Sequence, residues 1–152
     1  MRFWRICRRR YAAEAATGDG ARLYGGRWNS RGVRVVYAST SLALAAMETF
    51  VNLEPNLQPA DFVSIEGEVS DKVQIARLDL RPLPGNWFKQ RDDSLRRHGD
   101  EWVRAGRTVA LLVPSAAVRG DWNLLLNPAH PDFRKVRFAD PVPFEFDARM
   151  FR

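Results

Sequence analysis

An arginine in a glycine-rich stretch, Gly25-Gly26-Arg27-Trp28-Asn29, precedes a short β-like run that ends near Tyr37, and Glu48 follows in an almost wholly apolar segment. A cation, an aromatic ring and a carboxylate in that order can bind and act on a charged ligand. Glycines let backbone approach a ligand closely, and the planar fork of arginine binds phosphate oxygens in pairs. The segment from Ser41 to Val51 is built of helix formers and carries one charge, Glu48. On a helix the neighbours of Glu48 are Leu44, Ala45, Val51 and Asn52, so no cation is within the usual i, i+4 reach. A buried, unpaired carboxylate costs several kcal/mol, about half the net stability of a domain. Glu48 therefore either faces water or is compensated by a group distant in sequence, and Arg27 is the first choice. Taken singly, the bland readings are a tight turn with Arg27 exposed, a core tyrosine and a surface glutamate. Their joint occurrence over so short a span tips the balance toward a site.

A second patch lies downstream. Pro114-Ser115 ends the apolar run Val109–Val113, and Trp122-Asn123 opens the run to Asn127-Pro128. Ligands gather at the carboxyl ends of buried strands, although Ser115 and Asn123 are each, alone, ordinary turn residues. Other motifs fall away. Gly18-Asp19-Gly20 lacks the third glycine of a dinucleotide fingerprint, and Gly26-Arg27 occupies the place of the lysine and hydroxyl residue of a phosphate loop. His98 and His130 have no ligand-spaced cysteine or carboxylate, so no metal is expected. Cys7, the single cysteine, reads as a buried structural thiol and fits a reducing compartment.

These residues need elements to hold them. Strands are predicted at Phe3–Cys7, Val33–Ala38, Phe62–Val69, Val73–Leu80, Val109–Val113, Leu124–Leu126, Arg134–Phe138 and Val142–Phe146. Phe62–Val69 and Val73–Leu80 read as a hairpin turning at Ser70-Asp71-Lys72. A short helix is predicted at Tyr11–Ala16, and residues 17 to 32 read as an ordered loop. The main helices are Ser41–Val51, capped from Ser39-Thr40-Ser41, then Trp87–His98 and Asp100–Arg107, broken by Gly99. Pro55–Pro59 is a connection. Elements of both kinds without strict alternation predict an α+β class.

The chain has 152 residues, 45% hydrophobic and 28% charged, as expected of one globular domain spanning 1–152. No apolar run reaches membrane-spanning length and no signal core opens the chain, so a cytoplasmic protein is expected. The net charge of +6 first suggests nucleic acid, but 21 of the 24 cations are arginines spread along the chain, with 8–10 the only run. No basic stripe with interleaved aromatics appears, so direct nucleic-acid binding is not expected, and a non-catalytic nucleic-acid module remains the alternative of another class.

Taken together, GGRWN, VVYAS, LALAAMETFV, VPSAAV and DWNLLLNPAHPDF, from about Arg5 to Phe138, resemble the RES domain family. That family is named for recurring Arg, Glu and Ser and forms the toxin half of bacterial RES–Xre toxin–antitoxin pairs. The resemblance implies an ADP-ribosyltransferase-like fold with mixed, split β-sheets and flanking helices. It implies NAD+ as substrate, consumed by cleavage of the nicotinamide–ribose bond with water or phosphate, or alternatively by ADP-ribosyl transfer to a protein. It also implies a cognate Xre-type DNA-binding antitoxin that assembles with the toxin. Arg27, Tyr37 and Glu48 are then the catalytic residues, with Ser115 and Asn123 binding substrate. A rival pattern exists in Arg27, Ser39-Thr40-Ser41 and Glu66-Gly67-Glu68, which imitates arginine-modifying ADP-ribosyltransferases.

Overall fold

Arg2–Arg8 forms β1, whose two faces serve different cores. Phe3 is buried with Val36, Val69 and Leu126, while Trp4 and Ile6 pack with Ala45 and Phe62. The alternation places odd and even residues on opposite faces, as a strand covered on both sides requires. The computed structural model describes residues 1–56 and 59–152; part of the expected 55–59 connection lies outside them.

The remaining strands are β2 (Val36–Ser39), β3 (Phe62–Val69), β4 (Ile75–Arg77), β5 (Ala110–Pro114), β6 (Trp122–Leu126), β7 (Val136–Phe138) and β8 (Val142–Phe144). They run in the order β4-β5-β6-β2-β1-β3-β7, with β8 also on β3. Among the described residues only the β4–β5 pair is parallel, so the sheet is mixed and the class is α+β, as expected. The sheet is a single one of eight strands rather than split, and it narrows at one point. β1 and β2 are joined through one residue pair, Trp4 with Ser39, and the Arg5 guanidinium crosses the seam to donate to the Tyr37 carbonyl at 2.8 Å.

Three α-helices complete the fold among the described residues. α1 (Asp19–Tyr24) lies within the stretch expected to be loop. α2 (Leu42–Val51) follows β2 directly, and the Ser41 hydroxyl accepts the Leu44 N–H at 3.0 Å to cap it. Leu44 and Ala45 are its buried positions, and it lies against β1 and β2. α3 (Asp93–Ala105) is capped by Asp92, whose carboxylate accepts from Ser94 and Leu95 N–H groups, and ends at Gly106 in the left-handed conformation.

Three further expectations are corrected. Gly99 does not break a helix; α3 runs through it, because a glycine there lets the helix press against the Trp28 carbonyl. The β3–β4 hairpin does not form. β1 occupies one side of β3 while β7 and β8 share the other, so β4 has no free edge there and pairs in parallel with β5 across α3. The first helical stretch is also shorter than read, since Trp87–Lys89 is a single 3-10 turn and α3 begins only at Asp93.

Candidate active site

The register of the sheet assembles one polar group. Tyr37 lies opposite Leu125 and Ser39 opposite Asn123, while Leu111 faces Leu125 and Val113 faces Asn123. With a period of two, Tyr37, Ser39, Asn123 and Val113 share one face. Ser115 follows on β5's path just past its end, and α2 brings Glu48 over the same end of the sheet.

Glu48 Oε1 accepts two short hydrogen bonds, from Ser115 Oγ at 2.6 Å and from Asn123 Nδ2 at 2.6 Å. Asn123 Oδ1 accepts from Ser39 Oγ at 2.8 Å, which fixes which end of the amide faces the acid. Ser115 Oγ in turn accepts the Val118 N–H at 2.9 Å. These partners come from 67 and 75 residues away. The distant compensation expected for Glu48 is thus two neutral donors, and no ion pair with Arg27 forms among the described residues. Hydrogen bonds to a charged acceptor contribute about 1.5–3 kcal/mol each, enough to hold a half-buried carboxylate. Ser115 is fully buried, with both its bonds used. In this arrangement it positions Glu48 and touches no part of the hollow. Removing its hydroxyl in Ser115→Ala is expected to lower stability by about 1–3 kcal/mol, because Val118 N–H loses its partner. It should also slow turnover of any Glu48-dependent reaction by tenfold or more, roughly 1.4 kcal/mol of barrier. Thermal melting and rate measurements on the same variant check both.

The arginine loop is moulded from inside. Asn29 is fully buried; its Nδ2 donates to the carbonyls of Ala21, Ser30 and Val33, and its Oδ1 accepts the Tyr37 hydroxyl at 2.7 Å. The same hydroxyl accepts the Trp28 N–H at 3.1 Å. Burial pushes the Tyr37 phenol far above its ordinary value, so it stays neutral. Tyr37 still lines the hollow while its oxygen ties down the loop. A Cβ on Gly26 would lie 2.5 Å from that oxygen, which is why glycine occupies the position. From outside, α3 grips the loop: Asp100 accepts Ser30 N–H at 2.9 Å and Ser30 Oγ–H at 2.6 Å, and Arg96 Nε donates to the Gly26 carbonyl at 3.2 Å.

Arg27 is thereby held half-buried, with Nη1 donating to the Trp87 carbonyl at 3.2 Å and to the Gln90 carbonyl. Burial lowers its pKa, the Arg91 charge lowers it further, and Glu48 and Tyr37 act the other way. Arg27, Tyr37, Glu48 and Asn123 all line one cavity of about 960 Å3, a volume at the upper end for small-molecule sites. Sequence reading missed Arg5. It lines the same cavity, desolvation lowers its pKa, and its Nε is buried with no hydrogen-bond partner. Its alternating strand position resembles any solvated arginine, so only the fold reveals it.

The rival acids are elsewhere. Glu66 pairs with Arg2 at 2.5 Å, Glu68 is exposed, and neither lines the cavity. Cys7 is partly buried on β1, and burial pushes its thiol up, with Arg5 opposing. Among the described residues no group of three or more His, Cys, Asp or Glu side chains is placed to hold a metal ion.

The protein is thus an α+β fold whose mixed sheet and helices enclose a hollow lined by a hydrogen-bonded acid and four arginines, Arg5, Arg8, Arg27 and Arg91. The RES domain model matches residues 2–147, and the chain belongs to that family. Among curated relatives, it is 39% identical to the Prs ADP-ribosylating toxin of Sphingobium sp. (strain YBL2), covering 99% of this chain and 96% of that protein. It is 36% identical to the Toxin Res of Yersinia enterocolitica serotype O:8 / biotype 1B, covering 99% of both. Among solved structures, a chain of the M. tuberculosis MbcT-MbcA toxin-antitoxin complex superposes with a TM-score of 0.70 at 18% identity, covering 93% of this chain and 82% of that one. That likeness is one of fold.

Proposed function

We propose that this chain is a toxin that consumes NAD+ by cleaving the bond between nicotinamide and ribose, with water or phosphate as acceptor. The observation that carries the reading is Glu48, held at a fixed orientation by Ser115 and Asn123 in a cavity walled by Arg27 and Arg5. Cleavage breaks the bond from the anomeric carbon to the pyridinium nitrogen. The electron pair leaves with nicotinamide, which departs neutral, and positive charge develops on the ribose. A carboxylate already oriented toward that charge stabilises it without reorganising, as in glycoside hydrolysis. The incoming oxygen closes the new bond and releases its proton to Glu48 or to solvent. Arg27 and Arg5 suit the phosphates, the Tyr37 ring suits the flat nicotinamide cation, and Asn123 holds both acid and pose.

By the same resemblance, the partner is an Xre-type DNA-binding antitoxin, the arena is the bacterial cytoplasm, and the outcome is growth arrest. The solved complex of a toxin with its antitoxin supports such pairing, and among the described residues no helix is long and apolar enough to cross a membrane. Transfer of ADP-ribose to a protein is the second reading, favoured by the relative named for ADP-ribosylation. The test is mass spectrometry of products after purified protein meets NAD+ with and without phosphate, alongside labelled NAD+ in lysate. Free nicotinamide with ADP-ribose, or with its phosphate ester, is the expected result. Label bound to one protein selects the transferase, and absence of nicotinamide in every arm rejects NAD+ consumption.

A further inference from the structure

Two cations that line the cavity, Arg8 and Arg91, have no role in the foregoing. Arg91 lines the hollow, and its Nη2 donates to Asn52 Oδ1 at 3.0 Å, joining the segment before α3 to the end of α2. Asn52 is neutral, and its Nδ2 is spent on the Glu48 carbonyl at 2.7 Å. No carboxylate pairs with Arg91 or Arg27 among the described residues. Arg91 and Arg27 line the same cavity, and, after burial, the Arg91 charge is the next cause that lowers the Arg27 pKa. Like charges lining one cavity, each bound only to neutral oxygens, raise the energy of the empty site and lower it for a dianion. The Arg27 member is clamped by the carbonyls of Trp87 and Gln90, whereas Arg91 is tethered by a single exposed bond. One can stay and the other can move. Asn52 lies four residues beyond Glu48, about 6 Å along the helix axis. That is the scale of the step from the anomeric carbon of a ribose to its 5′-phosphate.

We propose that Arg91 is a substrate-binding residue that leaves Asn52 and closes, with Arg27, on the diphosphate of a dinucleotide. This rests on the NAD+ reading of the site and adds to it the group that grips the middle of the substrate. Arginine is required, because a lysine in its place offers a point charge without the paired donors that match phosphate oxygens.

The experiment uses full-length wild type, Arg91→Ala, Arg91→Lys and Asn52→Ala. Binding of ADP-ribose is measured by titration calorimetry, and nicotinamide release is followed from NAD+ and from phosphate-free nicotinamide riboside. Arg91→Ala is expected to raise the ADP-ribose Kd and the NAD+ KM about 10- to 100-fold, with kcat changed less than about threefold. Riboside cleavage should be unaffected, and Arg91→Lys should recover only part of the loss. Asn52→Ala should bind ADP-ribose as tightly as wild type or more tightly, since it frees the arginine. If the Arg91–Asn52 bond merely staples the fold, Asn52→Ala will instead reproduce the Arg91→Ala defect, and the proposal is overturned. It is overturned equally by an unchanged ADP-ribose Kd in Arg91→Ala, or by equal losses on NAD+ and riboside. Wild type that binds ADP-ribose yet releases no nicotinamide removes the cleavage reading and leaves Arg91 standing on its binding result. Wild type that binds no ADP-ribose ends both.

Discussion

Glu48→Gln is expected to retain the fold and lose nicotinamide release by about 100- to 10,000-fold. Glutamine keeps the shape of glutamate, and its carbonyl oxygen can still accept from Ser115 Oγ and Asn123 Nδ2. What it loses is the negative charge that meets the cation developing on the ribose. That loss corresponds to about 3–5 kcal/mol of barrier. Because both anchoring bonds fall on Oε1, Glu48 Oε2 accepts no hydrogen bond among the described residues and is the oxygen open to a ligand. The amide nitrogen of the variant would take its place and present hydrogens to a positive centre, adding repulsion to the missing attraction. Thermal melting should therefore move by no more than a few degrees while the rate collapses. A variant that melts like wild type and consumes NAD+ at the wild-type rate would sink the role given to this carboxylate.

Local chemistry made the carboxylate's helix legible in the sequence. Ser41 caps, helix formers follow, and the lone charge among them announces itself; α2 forms where expected and Ser41 is its cap. The partners were harder. Ser115 and Asn123 could be singled out as polar residues flanking buried strands, but that they meet on one oxygen depends on the register of β5, β6 and β2. An arginine was the natural compensating group for a buried acid, and a hydroxyl and an amide supply the bonds instead. The β3–β4 hairpin misled for a different reason. A three-residue turn between two apolar runs is a sound local signal, yet both sides of β3 are taken by strands remote in sequence. Arg5 and Gly99 were illegible because each is unremarkable until a distant backbone closes on it: Tyr37 in the first case, Trp28 in the second.

Gly99 carries the second large effect. In an ordinary helix interior, glycine to alanine stabilises by roughly 0.5–1 kcal/mol, since alanine gives up less backbone entropy on folding. Here the sign reverses. An added Cβ would overlap the Trp28 carbonyl oxygen, and the obstacle is backbone with little room to yield. Trp28 is buried against Leu95 and Trp87, its N–H is bonded to the Tyr37 hydroxyl, and its neighbour Asn29 is locked by four hydrogen bonds. The helix cannot retreat easily either, because Asp100 and Arg96 bind the same loop. Gly99→Ala is expected to lose about 2–4 kcal/mol, in the range of severe overpacking, and to lower Tm by roughly 5–15 °C. Since the displaced loop carries Arg27, nucleotide affinity should fall in whatever fraction remains folded. Gly85→Ala is the matched control, because a Cβ there meets nothing within 4 Å, and it should melt within about 2 °C of wild type. Equal melting of the two variants would show that α3 does not press on the arginine loop as the fold describes. The mould proposed for Arg27 would then have to be sought elsewhere.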